Sequence, residues 1–325
     1  MNYRSLHDLS CLSTWFSSKV TRDVDLIVGI PRSGMLCASI ISLKMNLPLI
    51  DLYSFLRNDE VKRGSTRAYK NAELVTPWTA KRILLVDDSI DSGGSIEAAY
   101  AKVKEVFHGE IVTMAAFAHS GNKHKVDFFF ELVEHPRVFE WNIMHHPIMS
   151  ESCLDIDGVL CEDPTPEEND DGHRYINFLS STKPLLIPTV KVGHLVTSRL
   201  EKYRAETEQW LQNQGVQYGK LHMLDLPTAE ERRRLNMHHQ FKANVYGNLP
   251  ARLFVESEKA QAIAIMEATK KPVYCIETNE MYEHGKASSI KLNAKYGTQT
   301  LKDMLPPRLK NVLRGLKTKL KPAHH

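Results

Sequence analysis

Residues 82–96, RILLVDDSIDSGGSI, run from an apolar stretch into two adjacent carboxylates and then into small and hydroxylated residues. A short apolar run closed at once by turn residues marks a strand buried on both faces and opening into a loop. Outward from it, DLIVGI (25–30), LPLIDLY (47–53) and EIVTMAAFA (110–118) read as further strands. MLCASIISLKMN (35–46) and SIEAAYAKVKEVF (95–107) read as helices, because their apolar residues return every three or four positions. Strand and helix in this rhythm predict an α/β fold with a mostly parallel sheet covered on both faces. Ligands in such sheets bind beyond the carboxyl ends of the strands. Both GIPRSG (29–34) and DDSIDSGG (87–94) fall there.

Two neighbouring acids at a strand end repel each other unless a cation or ligand hydroxyls compensate. Asp87 and Asp88 therefore suit a sugar diol with a divalent ion close by. The loop Asp91, Ser92, Gly93, Gly94 and Ser95 offers backbone N–H groups and hydroxyls at a helix start, which suits a phosphate dianion. The plain alternative is a strand end followed by a helix cap.

The whole string resembles the ribose-phosphate signature of the type I phosphoribosyltransferases, with serines where that family usually carries threonines. GIPRSG is similar to the family's pyrophosphate loop, which assigns Gly29, Pro31, Arg32, Ser33 and Gly34 to binding. The resemblance covers about residues 20 to 120. It implies phosphoribosyl pyrophosphate (PRPP) as donor, Mg2+ on the leaving pyrophosphate, and catalytic roles for Asp87, Asp88 and Arg32. The polar segment RNDEVKRGSTRAYKNAE (57–73) reads as a loop or small hairpin over the site, whose Arg57, Lys62, Arg63 and Arg67 can reach pyrophosphate. Phe139 and Trp141 can stack on an acceptor ring or belong to the core, and no base is assigned.

Near residues 145–150 the pattern restarts. SCLDIDGVL (152–160), VGHLVTSR (192–199), ARLFVES (251–257) and KPVYCIE (271–277) read as strands of a second α/β unit, and YRAETEQWLQNQG (203–215) as a helix. Two carboxylates one residue apart after an apolar strand can both face a loop-lined site; a calcium-like turn or a surface acidic loop is the plain alternative. LDIDGVL resembles the first motif of haloacid-dehalogenase-type (HAD) phosphatases. On that resemblance Asp155 is the nucleophile and Asp157 the general acid and base. Thr197 holds a phosphoryl oxygen, with Ser198 as its substitute, and Lys242 of FKANVY steadies nucleophile and phosphate. Asp155, Asp157 and Glu256 are the metal ligands it implies. In LFVESEKAQA, Ser257 and Glu258 share the place where a second acid is expected. The short spacing from Asp157 to Thr197, and from there to Lys242, implies a HAD-like Rossmannoid sheet with little or no cap.

At 325 residues, 42% of them hydrophobic, the chain is long enough for two cores. The expected domains are 1–147, phosphoribosyltransferase-like, 148–300, phosphatase-like, and a basic amphipathic tail, 301–325. A net charge of +3, from 42 Lys and Arg against 39 Asp and Glu, is too mild to indicate nucleic acid. No secretory signal opens the sequence and no segment reaches the roughly 20 apolar residues of a membrane span, so a cytoplasmic protein is expected. In the tail, Leu309, Val312, Leu313, Leu316 and Leu320 recur at helix spacing among lysines and arginines, which suits either an anionic membrane surface or docking on the protein itself. Self-association is compatible with the sequence. The five cysteines lack C-x-x-C spacing, and neither disulfides nor a zinc knuckle is expected.

Phosphoribosyl transfer leaves a 5-phosphate on the product, and a phosphomonoesterase removes such a group. The two resemblances together suggest ribose 5-phosphate transfer to a glycan or lipid-linked glycan, followed by dephosphorylation. The alternatives are a transferase of nucleotide or nucleoside metabolism carried with a phosphatase, and a non-catalytic PRPP sensor.

Overall fold

The computed structural model describes residues 1–19, 23–62, 73–235 and 237–285. The chain divides into two compact units, the first through Arg137 and the second from Val138 onward.

The first unit holds β1 (Asn2–Arg4), α1 (Leu6–Lys19), β2 (Leu26–Gly29), α2 (Ser33–Met45), β3 (Leu49–Asp51), α3 (Leu52–Leu56), β4 (Arg82–Ile90), α4 (Gly94–Val106), β5 (Glu110–Ala118) and β6 (Phe128–Leu132). Its parallel sheet has the order β3-β2-β4-β5-β6. The quoted apolar run is β4, second neighbour to both edges, and Ile83, Leu84, Leu85 and Val86 are fully buried. This is why its residues are apolar without alternation. Leu26, Val28, Leu85, Ile96, Val103 and Phe107 join one core across strand and helix. At α3 the carboxylate of Asp51 accepts from the N–H groups of Tyr53 and Ser54 at 2.9 and 3.1 Å, capping the helix start.

The second unit follows through β7 (Arg137–Phe139), β8 (Ser152–Leu154), α5 (His173–Ser181), β9 (Val192–Leu200), α6 (Arg204–Asn213), β10 (Tyr218–Leu224), α7 (Ala229–Leu235), α8 (His238–Asn248), β11 (Leu253–Glu256), α9 (Lys259–Thr269), β12 (Val273–Cys275) and β13 (Glu280–Tyr282). Its sheet order is β10-β9-β8-β11-β12-β13, parallel except for the last pair. The unit begins before residue 148 because the turn at Pro147–Glu151 packs beside its strands and the turn at Glu140–His145 packs on that turn. Ile148 and Met149 are buried there, and Ser152 Oγ donates to the Ile148 carbonyl at 2.6 Å. Between β8 and β9 lies α5; between β9 and α8 lie α6, β10 and α7, and β10 joins the sheet.

All five cysteines are free. Among the described residues no helix is long and apolar enough to cross a membrane. The tail 301–325, with its proposed membrane contact, lies outside the described residues, as do Arg63 and Arg67.

Candidate active sites

In the first unit the strand ends bring two loops together. Asp87 and Asp88 lie near the carboxyl end of β4, both buried. Ser33, from the loop after β2, donates through Oγ to Asp88 Oδ1 at 2.7 Å, which ties GIPRSG to DDSIDSGG. Gly34 makes this approach possible: a Cβ on it would stand 2.8 Å from the Val86 carbonyl oxygen and 3.0 Å from Asp87 Oδ1. Burial pushes Asp87 up to about 7, helped by the neighbouring Asp88 carboxylate and opposed by the Asp88 N–H, which donates to Asp87 Oδ1 at 2.9 Å. A diol presented to this pair would meet carboxylate acceptors whose mutual repulsion it relieves.

The following loop turns at Gly93, whose φ of 85° lies in the left-handed region, and α4 starts at Gly94. Ser92, Gly94 and Ser95 are exposed there, and Arg32 is exposed at the start of α2. Asp91 departs from the anion-binding expectation. Its carboxylate faces His135, Nε2 to Oδ1 at 2.9 Å, with Arg137 Nη2 at 3.8 Å. A second negative charge would oppose a phosphate dianion, so only the loop backbone at Asp91 suits phosphate.

Of the polar segment, residues 63–72 lie outside the described residues. Arg57 pairs with Asp59 at 2.6 Å and Lys62 with Glu60 at 2.5 Å, each within its own stretch. The Val61 N–H donates to the Val75 carbonyl at 2.9 Å. Phe139 and Trp141 stack on each other at 5.0 Å, and Phe139 is buried, which places it in a core.

In the second unit Asp155 follows β8, and its N–H donates to the Val255 carbonyl at 3.0 Å. Lys242, on α8, is buried and donates through Nζ to Asp155 Oδ2 at 2.6 Å, Glu256 Oε2 at 2.8 Å and Gln261 Oε1 at 3.1 Å. Burial alone would depress Lys242, but Asp155 and Glu256 outweigh it and hold the ammonium above its ordinary range. Burial raises Asp155 to about 8 against the pull of Lys242. Thr197 on β9 is buried, and its Oγ1 accepts from the Arg199 N–H at 3.2 Å. Ser198 Oγ is buried without a partner among the described residues.

Asp155, Asp157 and Glu256, the metal ligands implied by the resemblance, each face a cation of the protein itself. Among the described residues no group of three or more His, Cys, Asp or Glu side chains could hold a metal ion. Asp155 and Glu256 share the Lys242 ammonium, while Asp157 faces Arg199, and these cations satisfy the carboxylates. The Glu256 Oε1 oxygen accepts from Ser257 N and Oγ at 3.0 and 3.2 Å.

Sequence reasoning missed Arg199. Its side chain is fully buried and donates through Nη2 to Asp157 Oδ1 at 2.6 Å and through Nε to both Asp157 oxygens. The available signal was the lone Arg or Lys near the end of a strand, VGHLVTSRL, since a buried charge needs a partner. His135 was also missed, as nothing local connects it with Asp91.

Residues 6–145 match the family model of the phosphoribosyl transferase domain; the match ends short of β8. The first unit is phosphoribosyltransferase-like. Among solved structures, a purine phosphoribosyltransferase from Pyrococcus horikoshii Ot3 is 21% identical, with 43% of this chain and 93% of that chain covered and a TM-score of 0.31. Helicobacter pylori xanthine-guanine-hypoxanthine phosphoribosyltransferase is 19% identical, covering 44% of this chain and 92% of that one, with a TM-score of 0.33. Adenine phosphoribosyl transferase from Trypanosoma brucei is 14% identical, covering 39% and 64%, with a TM-score of 0.26. No curated protein matches the sequence.

Proposed function

We propose that the chain carries two activities, phosphoribosyl transfer from PRPP in the first unit and phosphomonoester hydrolysis of the HAD type in the second. The observation that carries the first is the buried pair Asp87 and Asp88, joined by Ser33 to the loop before α2. In this reading the pair binds the ribose hydroxyls, Ser92 to Ser95 hold the 5-phosphate, and Arg32 meets pyrophosphate. Magnesium arrives with PRPP as the counter-ion of its diphosphate.

The second activity rests on the contact of Lys242, on α8, with Asp155, just after β8, together with buried Thr197 on β9. Asp155 attacks phosphorus, the leaving alkoxide takes a proton, and water then cleaves the aspartyl phosphate. Lys242 offsets charge on nucleophile and phosphate, and Thr197 holds a phosphoryl oxygen. Asp157 is assigned the proton transfers.

A product carrying ribose 5-phosphate is itself a phosphomonoester, so the two sites suit successive steps ending in a ribosylated acceptor. The match over residues 6–145 favours an acceptor from nucleotide or nucleoside metabolism. The second reading, ribofuranose placed on a glycan or lipid-linked glycan, rests on the pairing of sites, because a polymer sugar need not keep its phosphate.

The test is a double dissociation on wild-type protein with PRPP, magnesium and either nucleobases or extracted glycolipids. Asp87→Asn with Asp88→Asn should abolish acceptor-dependent pyrophosphate release yet leave hydrolysis of a small phosphomonoester intact. Asp155→Asn should do the reverse. Near wild-type pyrophosphate release by the folded double variant overturns the first assignment, and PRPP binding without turnover on either acceptor class identifies a sensor.

A further inference from the structure

We propose that His135, oriented by Asp91, is the general base that removes the acceptor's proton during phosphoribosyl transfer. The inference rests on the transferase reading of the first unit. In that reaction the acceptor O–H or N–H must lose a proton as its heavy atom bonds to the ribose anomeric carbon. The bond from that carbon to pyrophosphate breaks, and its electron pair leaves with pyrophosphate. Asp87 and Asp88 are committed to the ribose hydroxyls, which leaves the pair formed by His135 and Asp91 beside the loop to receive the proton.

Beyond the carboxyl end of the sheet, residues from three strand ends converge beside the phosphate loop. Asp91 follows β4, His119 follows β5, and Glu134 and His135 follow β6. His135 Nε2 meets Asp91 Oδ1 at 2.9 Å, and both side chains are more than half exposed, at 55% and 59%. A salt bridge this open contributes little to stability, but openness is what a group reached by an acceptor requires.

The carboxylate fixes the tautomer. With Nε2–H donating to Asp91, a neutral His135 carries its lone pair on Nδ1. Among the described residues no hydrogen bond to that Nδ1 is found. Asp91 stays ionised: the hydrogen bond from His135 holds its carboxyl below the usual range, and Arg137 adds to this. The charge on Asp91 then stabilises the imidazolium formed when His135 takes the proton, which passes afterwards to water.

The surrounding groups keep this pair in place. Arg137 is buried and donates through Nη1 to the Ile90 carbonyl at 2.8 Å, and Asn122 Nδ2 donates to the Asp91 carbonyl at 2.7 Å. His119 lies 5.3 Å from the His135 ring, and its Nε2 meets Glu134 Oε2 at 2.9 Å. The Gly121 N–H donates to His119 Nδ1 at 3.3 Å, so both nitrogens of His119 are engaged and His135 has the available one.

The test compares His135→Ala and His135→Gln with wild type. Pyrophosphate release from PRPP and magnesium is measured with adenine, hypoxanthine, uracil, methyl galactoside and water alone, and the fastest acceptor is carried forward. Glutamine can still donate to Asp91 but cannot take up the proton. Both variants should lose about 10²-fold or more in kcat, with the KM for PRPP held within about threefold. The acid limb of the wild-type kcat/KM profile should vanish in both, and added imidazole should restore part of the rate to His135→Ala. Wild-type kcat in His135→Gln, or equal losses in kcat and in PRPP affinity, would show that the contact only holds the loop, and would overturn the proposal. PRPP binding by calorimetry separates this from failure of the transferase reading: a wild type that neither binds PRPP nor releases pyrophosphate overturns both.

Discussion

At the scale of the residue, the first site is decided by the repulsion between two adjacent carboxylates. Asp87 is raised to about 7 by burial and by Asp88. A folded-state pKa above the unfolded one means that the protonated form favours folding. That contribution is complete below about pH 4 and is lost as pH rises through about 7. Asp88→Asn removes the like charge while keeping an oxygen for Ser33, so Asp87 should return downward. The variant should lose less stability than wild type between pH 5 and pH 8, by about 1.4 kcal/mol for each unit by which the Asp87 pKa falls within that range. Urea denaturation at the two pH values checks this. At Asp91 the residue type alone misled: an acid in a loop suited to phosphate reads as a ligand contact until its partner, His135, is known.

At the scale of the element, the close approach of α2 to β4 sets the geometry. Gly34 stands where any side chain would press on backbone atoms of Val86 and Asp87. Gly34→Ala should force the helix start off the strand, break the Ser33 to Asp88 hydrogen bond, and cost about 1–3 kcal/mol. PRPP affinity should fall with it, read by calorimetry. Gly94→Ala is the control: among the described residues its Cβ would meet only Ser92 Oγ, at 3.7 Å, so stability should be nearly unchanged. The two glycines are indistinguishable in the sequence, because the difference lies in what stands opposite them.

At the scale of the whole molecule, the pairing of two sites on one chain makes its own prediction. If transfer precedes hydrolysis, Asp155→Asn should stop midway and accumulate an acceptor heavier than the final product by one phosphate group, which mass spectrometry detects. A dephosphorylated ribosyl acceptor as its principal product would separate the two activities. The sequence by itself determined the α/β character of both units, since buried parallel strands must be apolar throughout and their helices must repeat at three and four residues. It also placed Asp87, Asp88 and the glycine-rich loop at a strand end, because those signals are contiguous in the chain. Only the tertiary structure decided that Arg199 clamps Asp157, that Lys242 lies between Asp155 and Glu256, and that His135 reaches Asp91. Each of those contacts joins residues 14 to 87 positions apart. Such pairs are fixed by strand order and helix packing, which bring distant side chains together near the strand ends, and the local sequence does not name the partner.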